Sequence, residues 1–190
     1  KVGPSVAKDV TYGAIISVII ALAAIFLYIL VRFRNVAFSI GAFASVTTTT
    51  LMIIAVYVLL WKVMPFTMEV DQNFIAALLA IIGYAINDVV IVFDRIREEI
   101  GKSGWSAQTL NHAISTTLSR TLNTSLTTLL TLLAIFIFGG ETLRGFMFAM
   151  IIGVVVGTYS SIFVATPLVY DTSKGERKKE ETKEVEEHKK

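Results

Sequence analysis

One acidic residue stands alone inside a long apolar segment. Asp88 follows an uncharged run from Gln72 to Asn87, and five uncharged residues separate it from Asp94. A carboxylate at the centre of a membrane helix costs roughly 2.5 to 3.5 kcal/mol on the insertion scale. Loss of hydration favours the neutral carboxyl, whereas a nearby cation favours the carboxylate. Asp88 is therefore a candidate for loading and unloading a proton, and a structural Asp bonded to Ser or Thr hydroxyls is the alternative.

A basic residue lies at a similar predicted depth in the next apolar segment. Arg120 directly precedes the uncharged run from Thr121 to Gly140. Its guanidinium can either reach the lipid headgroups or face Asp88 within the protein. Polar residues recur around it at steps of three and four, which places them on one helix face. The members of this polar stripe are Thr116, Arg120, Asn123, Thr124, Thr127 and Thr131.

A polar stripe turned to lipid is unfavourable, so we expect it to face protein or a hydrated path, with ordinary hydroxyl packing between helices as the alternative. We therefore predict that one proton relay combines residues of the two segments. Its members are Asp88, Arg120, Asn87, Asn123 and Thr124. A second set of small residues is predicted to serve close helix packing in the last segment. Its members are Gly153, Gly157, Ser160 and Ser161.

The elements that must position these residues are long runs almost free of Asp, Glu, Lys and Arg. About 20 apolar residues in a helix cross a hydrocarbon core of roughly 30 Å, and a helix satisfies its own backbone groups there. The sequence therefore predicts an all-α, polytopic transmembrane bundle with five spanning helices. A buried helix set in a large soluble protein is the alternative. The predicted helices cover residues 10–31, 35–61, 72–93, 117–140 and 144–170.

Composition excludes most other classes of protein. Hydrophobic residues make up 54% of the 190 residues and charged ones only 17%, against about 25% charge in ordinary soluble domains. The chain has no Cys and two His, so disulfides, thiolate chemistry and Cys-bound metal are excluded. We find no catalytic motif or phosphate-binding loop, and expect no enzyme activity, no metal and no cofactor. The net charge of +2 gives no basis for nucleic-acid binding.

Basic residues predict the orientation of the helices, because Lys and Arg accumulate on the cytoplasmic side of a membrane. One predicted side holds Arg32, Arg34, Arg95 and Arg97 and the basic residues of the tail. We therefore expect the N-terminus outside and the C-terminus inside. Residues 1–9 would be an outer lead-in, 10–171 the transmembrane domain and 172–190 a charged cytoplasmic tail. Because the chain lacks an initiator Met, we expect it to be a piece of a longer protein.

Several of these segments together resemble the SecF family of bacterial protein-export proteins. Residues 83–98 (GYAINDVVIVFDRIRE) are similar to the signature of the family's fourth helix, and residues 118–128 (LSRTLNTSLTT) to its next helix. Residues 139–141 (GGE) and 156–165 (VGTYSSIFVA) resemble its last loop and helix, and residues 2–4 (VGP) the lead-in that follows the family's periplasmic domain. The resemblance extends from residue 1 to about residue 171.

The resemblance implies a half-transporter of the resistance–nodulation–division type in the bacterial inner membrane. Asp88 matches the family's membrane-embedded proton-carrying acid, and Arg120 its basic partner. The five predicted helices match the last five of six, so the first helix and the periplasmic domain would be missing. The implied activity is the use of the proton-motive force to promote protein export. The implied partners are SecD, separate or fused, the SecYEG channel, YajC, YidC, membrane lipids and an unfolded preprotein.

The sequence departs from the family pattern at two places. Relatives often carry a His-Asp pair where this chain has Thr48 and Thr49, and an acid where it has Gly145. Both departures would remove ionisable groups from a proton path, so the relay would depend more on Asp88 or on the SecD half. A proton-coupled small-molecule exporter of the same superfamily and a non-conducting scaffold for the translocon are the alternative functions.

Overall fold

The computed structural model describes residues 4–66, 68 and 70–175, with side chains from Tyr12 onward. The described residues form six helices and no strand, which confirms the predicted all-α class. Most of the predicted charged tail, residues 176–190, lies outside the described residues. The helices are α1 (Pro4–Phe33), α2 (Val36–Leu60), α3 (Gln72–Ser103), α4 (Ala107–Phe138), α5 (Glu141–Phe163) and α6 (Ala165–Thr172).

Five segments are long and apolar enough to cross a membrane, as the sequence predicts. The first four are α1 from Tyr12, α2, α3 and α4, and the fifth runs through α5 and α6 from Glu141 to Thr172. Val164 interrupts this last segment, although its N–H still donates to the Ser160 carbonyl at 3.0 Å. The apolar surface of α1 is largely exposed within the chain, as expected of a helix that contacts lipid.

Two helices extend beyond the predicted spans. α3 continues ten residues past the expected end at 93, and α4 begins ten residues before the expected start at 117. Each has 32 residues, about 48 Å at 1.5 Å per residue, against a hydrocarbon core of roughly 30 Å. Ion pairs stabilise the extension of α3, including one between Arg95 and Glu99 at 3.0 Å. Charged residues end the membrane-spanning part of α3 but not the helix itself, because ion pairs between neighbouring turns stabilise a helix in water.

α3 is the central helix and packs against α5, α4, α2 and α1. Its closest approach is to α5, where a Cβ atom built on Gly153 would overlap the side chain of Ile81. One turn further along α5, a Cβ on Gly157 would lie 3.4 Å from the Cβ of Ala85. The absence of side chains at these glycines therefore brings the α5 backbone against the face of α3 that carries Asp88.

We expect Gly153→Ala to destabilise the protein by about 1–3 kcal/mol, the usual cost of overfilling a packed site. The new methyl group would meet three carbon atoms of Ile81, so the whole side chain must move. Gly83→Ala is the matched control, because a Cβ there meets no atom within 4 Å and Ala favours a helix more than Gly does. Thermal unfolding of the full-length protein in detergent measures the difference, and equal midpoints for the two variants would contradict the packing.

Candidate proton-relay site

Asp88 lies inside the bundle, where α3, α4 and α5 meet. Its side chain is 1% exposed, and its Oδ2 accepts a hydrogen bond of 3.4 Å from the Thr158 hydroxyl on α5. Thr158 in turn shares a 2.6 Å hydrogen bond with the Ser125 hydroxyl on α4. The Tyr84 hydroxyl on α3 donates to Ser125 at 3.3 Å. The carboxyl therefore accepts a hydrogen bond from one hydroxyl, as in the structural alternative, and no described cation pairs with it.

One oxygen of this carboxyl is left without a partner. Asp88 Oδ1 is buried and accepts no hydrogen bond from the described residues. The hydroxyl of Thr121 on α4 is also buried and forms no hydrogen bond with any residue that the structure describes. A buried polar atom without a hydrogen bond is rare in native proteins and marks a strained or functional position. The described residues therefore bond to this carboxyl through one of its two oxygens only.

Arg120 does not face Asp88 within this chain. The Tyr84–Ser125 contact and a 3.0 Å bond from Arg95 Nε to the Thr116 hydroxyl set the register of antiparallel α3 and α4. This register places Asp88 level with residues 121–123. Arg120 therefore lies at nearly the same depth as Asp88, as the sequence predicts. Thr121 occupies the inward side, and a helix turns about 100° per residue. The Arg120 side chain consequently points out of the bundle, where it is exposed.

The other predicted relay residues are also exposed. Asn87 on α3 and Asn123 and Thr124 on α4 lie on outer faces of the described structure. The Thr residues of the polar stripe bond to carbonyls of their own helix, for example Thr124 to Arg120 O at 3.0 Å and Thr127 to Asn123 O at 2.8 Å. Arg120 and Asn123 make no side-chain hydrogen bond to a described residue. The stripe therefore faces outward from this chain, and its role in a relay stays a prediction.

The predicted packing residues lie where α5 meets its neighbours. Gly153 and Gly157 adjoin α3, as described above, and Ser161 donates to the Thr158 carbonyl at 2.8 Å. Ser160 joins α5 to α2 through hydroxyl contacts of 3.1 Å with Ser45 and 2.7 Å with Thr49. Thr49 is thus a buried contact residue, whereas Thr48 is exposed.

A polar cavity of about 450 Å³ lies at the opposite end of α3 from its charged extension. Asp71, Asn73 and Glu141 line it together with Tyr57 and Gly145. Asp71 also caps α3, because its carboxylate accepts the Phe74 N–H at 2.9 Å. Gly145 precedes Thr158 by 13 positions of α5, about 20 Å of helix, so the cavity is distinct from the Asp88 site. Among the described residues, no three His, Asp or Glu side chains converge as a metal site.

Three residues that connect to Asp88 by hydrogen bonds, Tyr84, Ser125 and Thr158, are absent from the site predicted from the sequence. A signal for Ser125 was present, since Thr117, Thr121 and Ser125 recur every four residues and form a second polar line on α4. All three are buried. Tyr84 lies one turn from Asp88 on the same face of α3, whereas Thr158 had no neighbour in sequence that linked it to an acid.

The chain is thus a multi-pass membrane domain with a buried carboxyl among hydroxyls. It belongs to the family described as "Protein export membrane protein SecD/SecF, C-terminal", whose sequence model matches residues 1–175. This match confirms the resemblance seen in the sequence.

Individual relatives agree with the family match. The protein translocase subunit SecF of Rhodothermus marinus is 52% identical over 172 residues, which cover 90% of this chain and 56% of that protein. SecF of Thermodesulfovibrio yellowstonii is 43% identical over 173 residues, with coverages of 89% and 55%. The chain therefore spans about half the length of the curated relatives it matches.

Solved structures show the same fold. The crystal structure of SecDF from Thermus thermophilus, titled a translocon-associated membrane protein, superposes with a TM-score of 0.79 at 39% identity. That match covers 90% of this chain and 23% of SecDF. A structure of SecDF in a super-membrane-facing form gives a TM-score of 0.73 at 35% identity, with coverages of 96% and 24%.

Proposed function

We propose that this chain is the membrane domain of an accessory subunit of the Sec preprotein translocase, and that it uses the proton-motive force to promote protein export. The observation that carries the proposal is the buried Asp88 carboxyl, which has one hydroxyl donor and one unpartnered oxygen. Unpaired ionisable groups at membrane depth are costly and are typical of proton pathways. The names of the relatives support the export role.

Protonation of Asp88 would couple to movement through its hydrogen bonds. The carboxylate accepts hydrogen bonds only, whereas the neutral carboxyl also donates one. Loading a proton therefore changes which bonds Thr158 and Ser125 form, and α5 and α4 carry these residues. One proton that crosses 100 mV supplies about 2.3 kcal/mol, enough to shift an equilibrium between two helix arrangements roughly fiftyfold. The substrate itself would undergo no covalent change.

The exposed polar stripe of α4 supports a partner within the membrane. The side chains of Arg120 and Asn123 have no hydrogen-bonding partner among the described residues. A second half that covered them would remove the cost of leaving these polar groups unpaired in the membrane. We propose SecD as that half, separate or fused, in line with the SecDF structures. The proposed wider assembly contains the SecYEG channel, YajC, YidC and an unfolded preprotein in the bacterial inner membrane. The proposed orientation has residue 1 outside and residue 190 inside.

Depletion of the full-length protein tests this function against the small-molecule exporter. We expect a reporter preprotein to accumulate in the cytoplasm, with tolerance to toxic compounds unchanged. Re-expression of the wild type should restore export and serves as the control. Loss of tolerance with normal export would instead indicate an exporter. If the protein were only a scaffold, export would require the protein but not its Asp88 carboxyl, and the variant Asp88→Asn tests this difference.

A further inference from the structure

Four side chains form one continuous hydrogen-bonded line that passes through three helices. Tyr84 on α3 bonds to Ser125 on α4 at 3.3 Å, Ser125 to Thr158 on α5 at 2.6 Å, and Thr158 to Asp88 on α3 at 3.4 Å. Three of the four side chains carry hydroxyls, and each hydroxyl can donate one hydrogen bond and accept others. A single donor direction, from Tyr84 towards Asp88, satisfies every contact.

We propose that this line conducts protons to Asp88, with Tyr84 as its entry and Ser125 and Thr158 as its intermediate links. The inference rests on the proposed function and adds the route by which its carboxyl is loaded. It assigns a role to three residues on the inward side of the helices, whereas the relay predicted from sequence used the outward side. We call the four residues the hydroxyl line.

The transfer balances in protons. Asp88 receives the Thr158 hydroxyl proton, Thr158 receives that of Ser125, and Ser125 receives that of Tyr84. Tyr84 regains a proton from a hydronium ion, which leaves as water. Each hydroxyl breaks one O–H bond and forms another, so the net change is one proton moved from the hydronium ion to the carboxylate. The Thr158–Asp88 contact is the longest of the three, and we expect it to limit the rate.

The position of Tyr84 suggests the side from which protons enter. Tyr84 precedes Asp88 by four residues, about 6 Å along α3, towards the helix end that bears the polar cavity. Its half-buried ring packs against a cluster formed by Leu132, Met147 and Val154. This apolar layer lies between the hydroxyl line and the cavity, so water must cross it before Tyr84 can be recharged. Entry would then depend on a transient opening of the layer.

No fixed charge in the neighbouring helices competes with the line. α2 has no charged residue from Val36 to Leu60, and the charged residues of α5, Glu141 and Arg144, precede Thr158 by at least 14 positions. Arg120 on α4 points outward and pairs with no described residue. The nearest charged residue of α3, Asp94, bonds to Arg32 at 3.0 Å. The carboxyl therefore exchanges protons with hydroxyls, since no described acid or base is in contact with it.

The test measures proton uptake by the full-length protein and its partner half in liposomes under an imposed pH gradient. We expect Thr158→Val, Ser125→Ala and Tyr84→Phe each to slow uptake roughly ten- to hundredfold, because each removes one hydroxyl through which the proton must pass. Thr158→Ser restores the hydroxyl and should restore the rate. The matched controls are Tyr159→Phe and Ser115→Ala, which alter exposed residues and should conduct as the wild type does.

Two results would overturn the line and leave the proposed function in place. Wild-type rates in all three hydroxyl variants, with no uptake in Asp88→Asn, would show that protons reach Asp88 by another route. A Thr158→Ser protein as slow as Thr158→Val would show that the side chain acts by packing. Wild-type proton uptake by the Asp88→Asn variant would contradict both the hydroxyl line and the proposed function. Tyr84→Phe keeps the ring, so it decides the matter even if the smaller variants unfold.

Discussion

The variant Asp88→Asn is expected to abolish the component of protein export that depends on the proton-motive force. The amide can still accept the hydrogen bond from Thr158, but it cannot take up a proton. In cells that rely on the variant, a reporter preprotein should accumulate as it does in cells that lack the protein. The change also removes a buried ionisable group, so we expect thermal stability to stay equal or to rise.

Asp94→Asn is the matched control for this variant. Asp94 lies on the same helix, six residues further on, but it is partly exposed and paired with Arg32 at 3.0 Å. An exposed pair of this kind contributes about 0–1 kcal/mol, and export should remain near the wild-type level. Normal export by Asp88→Asn would favour the scaffold, whereas an equal defect in the two variants would indicate a general effect of charge loss on α3.

The second large effect is expected on assembly. The double variant Arg120→Leu and Asn123→Leu would convert the unpaired polar positions of the stripe into an apolar surface. We expect the variant protein to remain folded in the membrane, because the hydroxyls of Thr124 and Thr127 bond to their own helix. Co-purification with SecD should fall by roughly tenfold or more, since about 1.4 kcal/mol of lost contact lowers an affinity tenfold.

A control for this change is available on another face of α4. Leu122 and Leu126 are 50% and 55% exposed and lie about 110–150° from the centre of the polar stripe. Their replacement by Ala should leave co-purification with SecD unchanged. A double Leu variant that retains SecD would show that the stripe contacts lipid or water. Loss of SecD in the Ala variants would place the contact on the apolar face instead.

The sequence predicts the membrane segments well because a single quantity, the free energy of transferring charged side chains into hydrocarbon, decides where they lie. A run without charged residues can enter hydrocarbon, and five such runs correspond to the five observed segments. It predicts less about where a helix ends. α3 ends before Gly104, which adopts a φ of 69°. α4 begins after Ser106, whose hydroxyl accepts a hydrogen bond from the Thr109 N–H at 3.0 Å. Such capping contacts are independent of hydropathy.

The rotation of α4 could not be deduced from its sequence. Polar residues lie on two of its faces, one with Thr117, Thr121 and Ser125 and one with Arg120 and Asn123. Both faces avoid lipid, so polarity alone does not decide which one turns towards α3. The buried position of Thr121 decides it through packing between helices. Asp88 can be identified from the sequence because a lone acid in an apolar run is unusual. Its partners Ser125 and Thr158 can be identified only once the packing of the helices is known.

The central claim, that export is coupled to a proton at Asp88, is tested most directly in membrane vesicles with a defined gradient. Such vesicles contain the translocon and the full-length protein, and export of a preprotein is timed with and without an imposed pH difference. We expect the gradient to accelerate export by the wild type and to have no effect on export by Asp88→Asn. Equal acceleration of the two would contradict the claim.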